Sequence, residues 1–358
     1  MNNYNIALLP GDGIGEEVCM EAVKVLRKIE SKYDVEFKIT GGLIGGAAWP
    51  EYGNHFPEET KTLVAQSDAV LFGSVGGPVD AQFEPQWKDC EKNSILAIRK
   101  FIGASINLRP APIFKELAHF CPLRPEIIGN TSFEILVIRE LSGGIYFGDH
   151  SRPTPDTAFD SSSYDRATIE KMAKFAFQAA QNRNKTLHSI DKANVLETSR
   201  LWREVFEQEA KNWPEVKFHN LYVDNAVQQL VKWPKQFDVI ACPNLFGDII
   251  SDLTSVFPGS LGMLGSASFG NKIHLYEPSG GSAPDLEGKN IANPIAQIYS
   301  AAMMLRHSFE MNDAADAIDN AIIKTIQAGF RTGDIYMPDM NETKLNCDEM
   351  GDKICEFI

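Results

Sequence analysis

The sequence predicts an α/β fold with a substantial parallel sheet, divided into two domains. Short apolar runs typical of buried strands alternate with amphipathic stretches typical of helices along most of the chain. The chain is also 358 residues long, which exceeds the usual size of a single hydrophobic core. Because 44% of the residues are apolar and 23% are charged, a sizeable core can form.

The alternation begins close to the N-terminus. A predicted strand from Asn5 to Pro10 ends in the turn Gly11-Asp12-Gly13-Ile14-Gly15, and an amphipathic helix follows from Glu16 to Ser31. The later strands are predicted at 69–72, 133–138, 187–190, 218–223 and 237–242, and the later helices at 166–185, 198–211 and 246–256. Strands that alternate with helices in this way are typical of parallel βαβ units.

Charge and composition exclude several classes of function. The net charge is −14 and there is no basic run, so neither nucleic acid nor an anionic membrane is an expected partner. No apolar run approaches the length of a transmembrane helix, and the first five residues lack the positive region of a signal peptide. The six cysteines form no CxxC pair. We therefore expect a cytoplasmic protein with reduced thiols.

The segment from Arg139 to Tyr146 is the most informative part of the chain. A predicted strand ends on Arg139, and the turn Ser142-Gly143-Gly144 leads to Tyr146. An arginine at a strand end can bind a carboxylate through two parallel hydrogen bonds, and a tyrosine nearby can donate a proton. The alternative is a surface arginine and a core tyrosine beside a hairpin turn.

Three aspartates are candidate metal ligands. Asp248 and Asp252 are four residues apart in a predicted helix, which places both carboxylates on one face. A hard cation such as Mg²⁺ or Mn²⁺ would compensate their repulsion, although both could instead favour a helix N-terminus. Asp224 ends a predicted strand and is either a third ligand or a helix N-cap.

Further basic residues could complete such a site. Lys192 follows a predicted strand and is either a general base or a solvated surface lysine. Arg99 and Arg109 could join Arg139 in a clamp for a dicarboxylate, or all three could be scattered surface arginines.

Three glycine-rich segments could form ligand-binding turns. The first, Gly11-Asp12-Gly13-Ile14-Gly15, is not the Rossmann GxGxxG motif because Glu16 follows it. The second runs from Gly73 to Pro78, and the third is Gly280-Gly281-Ser282-Ala283-Pro284-Asp285. Asp285 in the third segment could bind a ribose 2′-hydroxyl and would repel a 2′-phosphate.

Together these motifs resemble those of the β-decarboxylating dehydrogenases, which oxidise a 2-hydroxy acid and remove its β-carboxylate. The match runs in order from the Gly11 segment to Arg331-Thr332-Gly333-Asp334, over nearly the whole chain. The string Arg-Glu-Leu-Ser-Gly-Gly-Ile-Tyr-Phe-Gly from Arg139 to Gly148 is typical of the isopropylmalate branch of this family.

The resemblance implies a role for each candidate residue. Tyr146 corresponds to the catalytic acid and Lys192 to the base. The implied substrate-binding residues are Arg99, Arg109, Arg139, Asp224 and Ile95. The implied ligands of one Mg²⁺ or Mn²⁺ per subunit are Asp224, Asp248 and Asp252. The implied NAD-binding residues are Gly77, Glu91, Gly281, Ser282, Ala283, Pro284, Asp285, Leu286 and Asn293, with Asp285 on the adenosine ribose and Glu91 near the nicotinamide ribose.

The resemblance also implies the architecture. It predicts the two-domain fold of the isocitrate/isopropylmalate dehydrogenases, with a large mixed, mostly parallel sheet flanked by helices, rather than a Rossmann fold. Residues 1–104 and 259–358 would form a first domain with most of the NAD site. Residues 105–258 would form a second domain with the metal ligands, the catalytic tyrosine and lysine, and the interface of a homodimer. Lys192 and Asp224 would reach into the partner's site.

Three positions bear on the choice of branch. Ile95 offers an apolar wall suited to an isopropyl group, where isocitrate dehydrogenases place polar residues, while Asn93 could still make a polar contact. Asp285-Leu286 replaces a Lys-Tyr pair that looks typical of NADP-specific relatives, so NAD is favoured. Glu16 stands where many relatives have proline.

Several alternatives share the same set of residues. Isocitrate, homoisocitrate, D-malate and tartrate dehydrogenases have the metal and arginine residues, and the segment Asn93-Ser94-Ile95 would separate them from an isopropylmalate enzyme. A non-catalytic regulatory subunit of this fold should have lost the tyrosine, the lysine or an aspartate, and this chain retains all of them.

Overall fold

A computed structural model describes residues 2–358 and shows an α/β fold. The strands are β1 Asn2–Gly11, β2 Val35–Gly41, β3 Ala69–Ser74, β4 Ile106–Ile113, β5 Phe133–Glu140, β6 His150–Thr154, β7 Thr157–Asp160, β8 Thr186–Asp191, β9 Lys217–Tyr222, β10 Val239–Cys242, β11 Gly265–Phe269, β12 His274–Pro278, β13 Phe330–Arg331 and β14 Thr343–Lys344. The α-helices are α1 Gly15–Lys32, α2 Trp49–Tyr52, α3 Glu58–Ala65, α4 Cys90–Asn93, α5 Ile95–Phe101, α6 Pro125–Ile128, α7 Arg166–Gln181, α8 Glu197–Ala210, α9 Val223–Lys232, α10 Asn244–Ser255, α11 Ile295–His307, α12 Asn312–Gln327 and α13 Cys347–Phe357.

The predicted alternation of strands and helices is confirmed. Each predicted strand and helix is present, with ends that differ by a few residues. Helix α7 ends at Gln181 instead of continuing to Lys185, which lies outside the helix in a left-handed backbone conformation with φ of 56°. The predicted apolar face of α1 is also confirmed, since Val18, Ala22 and Leu26 are buried.

The chain divides into two compact units. The first contains the chain up to Ala104 and from Ser260 onward, and the second is Ser105–Gly259. In the first unit, β1 lies between β2 and β3, and all three strands are parallel. Strand β12 is parallel to β3 and antiparallel to β11. A core cluster that includes Leu9, Phe72 and Leu275 is buried against these strands.

The second unit has its own mixed, mostly parallel arrangement of strands. Strand β5 is antiparallel to β4 and parallel to β10, and β10, β8 and β9 are parallel in turn. A buried cluster that includes Val137, Ile190 and Ile240 packs against α9 and α10. Because three of the four pairings are parallel, the carboxyl ends of β5, β8, β9 and β10 lie at the same edge.

Several elements were not predicted from the sequence pattern. Strand β4 contains two prolines, and β2 shows an alternating pattern over only a few residues. Helix α11 is buried on most of its surface, so it lacks an amphipathic stripe. Within residues 2–358, the structure shows no helix with both the length and the apolar character that a membrane span requires.

Candidate active site

The second unit places polar side chains at the carboxyl ends of four neighbouring strands. Arg139 lies near the end of β5, paired across the ladder with Cys242 at the end of β10. The last residues of β8 and β9 are paired with each other, and Lys192 and Asp224 follow them. In open α/β sheets this edge is where ligands bind. The register therefore gathers residues that are far apart in the sequence.

Arg139, Tyr146, Asn244 and Asp248 form one hydrogen-bonded group, which we call the Arg139 cluster. The guanidinium of Arg139 forms an ion pair with Asp248, and its Nε and Nη2 donate to Asn244 Oδ1 at 3.1 and 2.9 Å. The hydroxyl of Tyr146 donates to Asp248 Oδ2 at 2.8 Å. Arg139 is only 7% exposed, whereas Tyr146 is 46% exposed. A buried cation therefore lies beside an accessible hydroxyl.

The environment of Tyr146 keeps its proton in place. Partial burial raises the pKa of the Tyr146 hydroxyl, and the hydrogen bond to the Asp248 carboxylate raises it further. The Arg139 guanidinium, which lies 5.6 Å from the ring centre, opposes this shift. The phenol is therefore protonated at neutral pH and available as a proton donor.

The Ser142-Gly143-Gly144 turn is held by two side chains of its own unit. Glu140 accepts hydrogen bonds from the backbone N–H of Ser142 at 2.5 Å and from that of Gly143 at 2.9 Å. The turn packs against Tyr164, since a Cβ at Gly143 would lie 2.6 Å from the Tyr164 ring. The two glycines therefore permit a close approach, and the short helical turn Ile145–Phe147 that follows presents Tyr146.

Helix α10 carries two acidic side chains, each of which is compensated by an arginine. Asp248 is paired with Arg139, and Asp252 Oδ1 lies 3.4 Å from Nη1 of Arg109. Neither aspartate lies in the first turn of α10, so the helix dipole does not account for them. Gly247 brings the helix close to Arg139, because a Cβ there would lie 2.6 Å from Arg139 Cγ.

Lys192 and Asp224 form a separate pair, with Nζ and Oδ2 3.0 Å apart. The hydrogen bond from Lys192 lowers the pKa of the Asp224 carboxyl below its ordinary value. Asp224 lies in the first turn of α9 and does not cap it, since the N-cap residue is Tyr222 and no side chain caps the helix. The N-cap alternative for Asp224 is therefore wrong.

The donor chemistry of these carboxylates fits a hard divalent cation. Asp248 and Asp252 share one face of α10, and carboxylate oxygens are the ligands that Mg²⁺ and Mn²⁺ prefer. Within residues 2–358, no three His, Cys, Asp or Glu side chains lie close enough together to hold a metal ion. The two aspartates of α10 would therefore need a further ligand from outside their own helix.

Other predicted substrate residues lie in the first unit. Arg99 of α5 forms an ion pair with Glu277 at 2.6 Å, and both side chains are largely buried. Ile95 packs against the core cluster of this unit. Leu96, one turn before Arg99 on the same helix, is 53% exposed. Leu96 is therefore the more accessible apolar side chain beside Arg99, and sequence reasoning missed it.

The first unit also contains a cavity of about 500 Å³ next to the third glycine-rich segment, which we call the glycine-loop cavity. Four predicted cofactor residues contribute to its lining, namely Gly281, Ala283, Leu286 and Asn293. Ile14 and Val18 line it as well. The backbone N–H of Ile14 donates to Ser282 O at 2.8 Å, so the first and third glycine-rich segments are adjacent. Cofactor sites have this size and apolar lining.

Glu91 lies near the same loops. A Cβ built on Gly76 would lie 3.6 Å from both Glu91 Oε1 and Ser282 Oγ. The predicted residues Gly77, Glu91 and Ser282 therefore surround one turn of the first unit. Asp285 is exposed on the short helical turn Pro284–Leu286 that follows Ser282. An exposed carboxylate beside an apolar cavity fits the ribose of a dinucleotide.

Asn244 is a further residue that sequence reasoning missed. It accepts two hydrogen bonds from Arg139 and donates from Nδ2 to Gly143 O at 3.1 Å. It therefore joins the arginine to the turn that carries Tyr146. Its position two residues after a predicted strand was the only signal available in the sequence.

Comparisons with known proteins find relatives that match nearly the whole length of the chain. The model of the isocitrate/isopropylmalate dehydrogenase family matches residues 5–354. A Mannheimia succiniciproducens protein named 3-isopropylmalate dehydrogenase is 49% identical, with 100% of both chains covered. A Geobacter metallireducens protein of the same name is 51% identical, with 98% of both covered.

Solved structures show the same relationship. The crystal structure of isocitrate dehydrogenase from Methylococcus capsulatus aligns with a TM-score of 0.81 at 30% identity and covers 99% of both chains. A β-decarboxylating dehydrogenase from Thermococcus kodakarensis aligns with a TM-score of 0.80 at 33% identity, covering 99% of this chain and 96% of its own. This chain belongs to the isocitrate/isopropylmalate dehydrogenase family.

Proposed function

We propose that this chain is an NAD-dependent 3-isopropylmalate dehydrogenase of leucine biosynthesis, which converts 3-isopropylmalate to 4-methyl-2-oxopentanoate and CO₂. The Arg139 cluster carries the proposal, because it combines a carboxylate-binding cation, a protonated acid and a metal-binding carboxylate in one contact group. Relatives with that name and 49–51% identity over nearly their full length support the choice of substrate.

The arginines of the second unit would hold the β-carboxylate of the substrate. Arg109 is oriented by Asn107, whose Oδ1 accepts from Nε at 3.0 Å, and Arg139 is oriented by Asn244. Asn107 is paired with Arg139 across β4 and β5, so the two guanidinium groups arise from adjacent strands. Arg99 is the third arginine of the proposed clamp, and Ile95 and Asp224 are also proposed to contact the substrate.

Tyr146 is the proposed acid of the decarboxylation half-reaction. Loss of CO₂ leaves negative charge on carbon, and a proton must be delivered there. The raised pKa of Tyr146 keeps the phenol protonated until it is used. The glycine turn before it, held by Glu140 and Tyr164, supports a defined position for the hydroxyl.

Lys192 is the proposed base of the oxidation half-reaction, acting directly or through Asp224 or a water molecule. The substrate hydroxyl must lose a proton as hydride leaves the same carbon. The contact of 3.0 Å between Lys192 and Asp224 supports a route for that proton.

Two groups would be supplied from solution. Asp248 and Asp252, with Asp224 of the partner subunit, would hold Mg²⁺ or Mn²⁺, which lowers the pKa of the substrate hydroxyl and stabilises the charge left by CO₂. The glycine-loop cavity, with Gly77, Glu91 and Asp285 beside it, would hold NAD⁺ as the hydride acceptor.

A homodimer is proposed as the active unit. Strands β6 and β7 form a two-stranded hairpin in which every residue is exposed, and such a hairpin is marginally stable alone. Helix α10 also exposes Leu245 and Ile249, and Val256 directly after the helix is exposed as well. A second copy would cover these surfaces and bring its own Lys192 and Asp224 to the α10 aspartates. We infer a cytoplasmic location, because all six cysteines are unpaired.

The test is NADH formation with Mg²⁺, comparing 3-isopropylmalate, isocitrate and D-malate, each with and without EDTA. EDTA-sensitive turnover of 3-isopropylmalate alone is expected, because Ile95 and Leu96 offer apolar contacts beside Arg99. A preference for isocitrate or D-malate would show that the exposed Asn93 and its neighbours set specificity instead of Ile95, and would refute the isopropylmalate assignment.

A further inference from the structure

Trp87 occupies an unusual position in the first unit. It belongs to an exposed loop in which Val79 and Phe83 are 83% and 92% exposed, yet Trp87 itself is half-buried against the core cluster that contains Phe72. Three residues later the loop ends in α4, which carries Glu91. Trp87 is therefore the apolar anchor of the segment that leads to Glu91.

Two glycines make room for the indole. A Cβ at Gly46 would lie 2.0 Å from Trp87 Cζ3, and a Cβ at Gly77 would lie 2.1 Å from Trp87 Cδ2. Real side chains do not tolerate such contacts, so the six-membered ring lies directly against both backbones. Neither glycine has a left-handed conformation. Close approach to the ring therefore explains why both positions are glycine.

Hydrogen bonds also join the loop that carries Trp87 to the turns at Gly46 and Gly76. Asp12, which is 5% exposed, accepts from the backbone N–H of Gly46 at 3.0 Å and of Gly76 at 2.9 Å, and lies 3.7 Å from Cys90 Sγ. Gln86 Nε2 donates to Gly46 O at 3.1 Å. The loop, the turn at Gly46 and the turn at Gly76 are thus joined by both polar and apolar contacts.

We propose that Trp87, seated on Gly46 and Gly77, is a positioning residue that fixes Glu91 for cofactor binding. The backbone N–H of Cys90, the first residue of α4, donates to Trp87 O at 3.1 Å. A displacement of Trp87 would therefore also displace the start of α4. Glu91 then lies beside Gly76 and Ser282. The inference rests on the proposed binding of NAD⁺ near Glu91.

Four variants test this role through the dissociation constant for NAD⁺, measured by calorimetry. Gly46→Ala displaces the indole without removing it, Trp87→Ala removes it, and Trp87→Phe retains an aromatic ring. Gly41→Ala is the matched control, because a Cβ there would meet nothing within 4 Å. The thermal midpoint of each variant shows whether it is folded.

We expect Gly46→Ala and Trp87→Ala to weaken NAD⁺ binding about tenfold, comparable to a lost hydrogen bond to a charged group. Trp87→Phe should recover part of that loss, and Gly41→Ala should bind like the unaltered chain. The KM for the hydroxy acid should change less than about twofold in all four, since Trp87 acts through Glu91. In a Glu91→Gln background, Trp87→Ala should have little further effect on NAD⁺ binding.

The outcomes separate this inference from the proposed function. Unchanged NAD⁺ binding by folded Gly46→Ala and Trp87→Ala would overturn the inference alone. A full additional loss from Trp87→Ala in the Glu91→Gln background would overturn the route through Glu91. Failure of the unaltered chain to bind NAD⁺ would overturn the cofactor assignment and this inference together. If Trp87→Ala does not fold, Gly46→Ala and Trp87→Phe decide the question.

Discussion

The Arg139 cluster of the second unit and the glycine-loop cavity of the first differ in the chemical groups that form them. The cluster consists of a buried arginine held by a partly exposed aspartate and a buried amide, with an accessible tyrosine hydroxyl beside them. The cavity is lined largely by backbone and small or apolar side chains, with glycines where segments touch. Substitutions in the cluster should therefore act through charge and proton transfer, and substitutions around the cavity through shape.

Tyr146→Phe and Lys192→Ala should have the largest effects, because each removes a proposed proton-transfer group. We expect each to lower kcat about 10²–10⁴-fold. With C2-deuterated substrate, the isotope effect should fall toward one in Tyr146→Phe and persist or grow in Lys192→Ala, since the first slows decarboxylation and the second slows hydride transfer. Undiminished product formation by Tyr146→Phe would remove the tyrosine from the mechanism.

Mixing these two inactive variants tests whether the site is shared between subunits. If Lys192 serves the partner's site, a hybrid dimer has one site with both substitutions and one intact site. Random exchange of equal amounts should then restore about a quarter of the activity. If both residues serve one chain's own site, every site in the mixture carries a substitution, and no activity should return.

Gly247→Ala should have the next largest effect, and it tests whether shape matters in the charged cluster as well. The new Cβ would lie 2.6 Å from Arg139 Cγ and must displace the arginine or α10. A displacement of this kind can cost about 100-fold in kcat/KM. Gly41→Ala again serves as the folded control. Unchanged kcat/KM would show that the position of Arg139 is not critical.

Asp285→Ser should have a smaller effect on kcat/KM, and the effect should be confined to the choice between NAD⁺ and NADP⁺. Loss of the exposed carboxylate should raise the KM for NAD⁺ and lower that for NADP⁺, shifting the preference by about tenfold, because a carboxylate repels the 2′-phosphate. The measurement is kcat/KM for both cofactors at constant salt. An unchanged preference would place the adenosine ribose elsewhere.

His188 should make the free energy of unfolding depend on pH, and it should have no effect on activity at neutral pH. Burial, together with the stacked ring of His219, lowers the pKa of His188 to about 4. The unfolded chain binds a proton near pH 6.5 while the folded chain does not, so the free energy of unfolding falls as the pH drops from 6.5 toward 4. The loss is about 3 kcal/mol for this 5% exposed residue.

Urea unfolding of His188→Leu at pH 7 and pH 5 checks this expectation. The variant should lose much less stability between the two pH values than the unaltered chain. His119→Gln, at an exposed position, is the control and should keep the full pH dependence. An identical pH dependence in all three would exclude His188 as its source.

The alternation of strands and helices could be predicted from the sequence, because periodicity and turn residues are local signals. The sequence also placed Arg139, Lys192 and Asp224 at strand ends and Asp248 and Asp252 on one helix face, since chain spacing dictates these positions. The family resemblance added their expected roles, which no local pattern contains.

Which of these residues contact one another could be read only from the folded chain. The ion pair of Arg139 with Asp248 joins residues 109 positions apart, and the parallel register of β5 with β10 makes it possible. The contact of Trp87 with Gly46 and Gly77, the central role of Asn244 and the partial burial of Ile95 beside an exposed Leu96 have the same origin. Such contacts depend on how distant segments pack, and packing is set by the whole core rather than by neighbours in the chain.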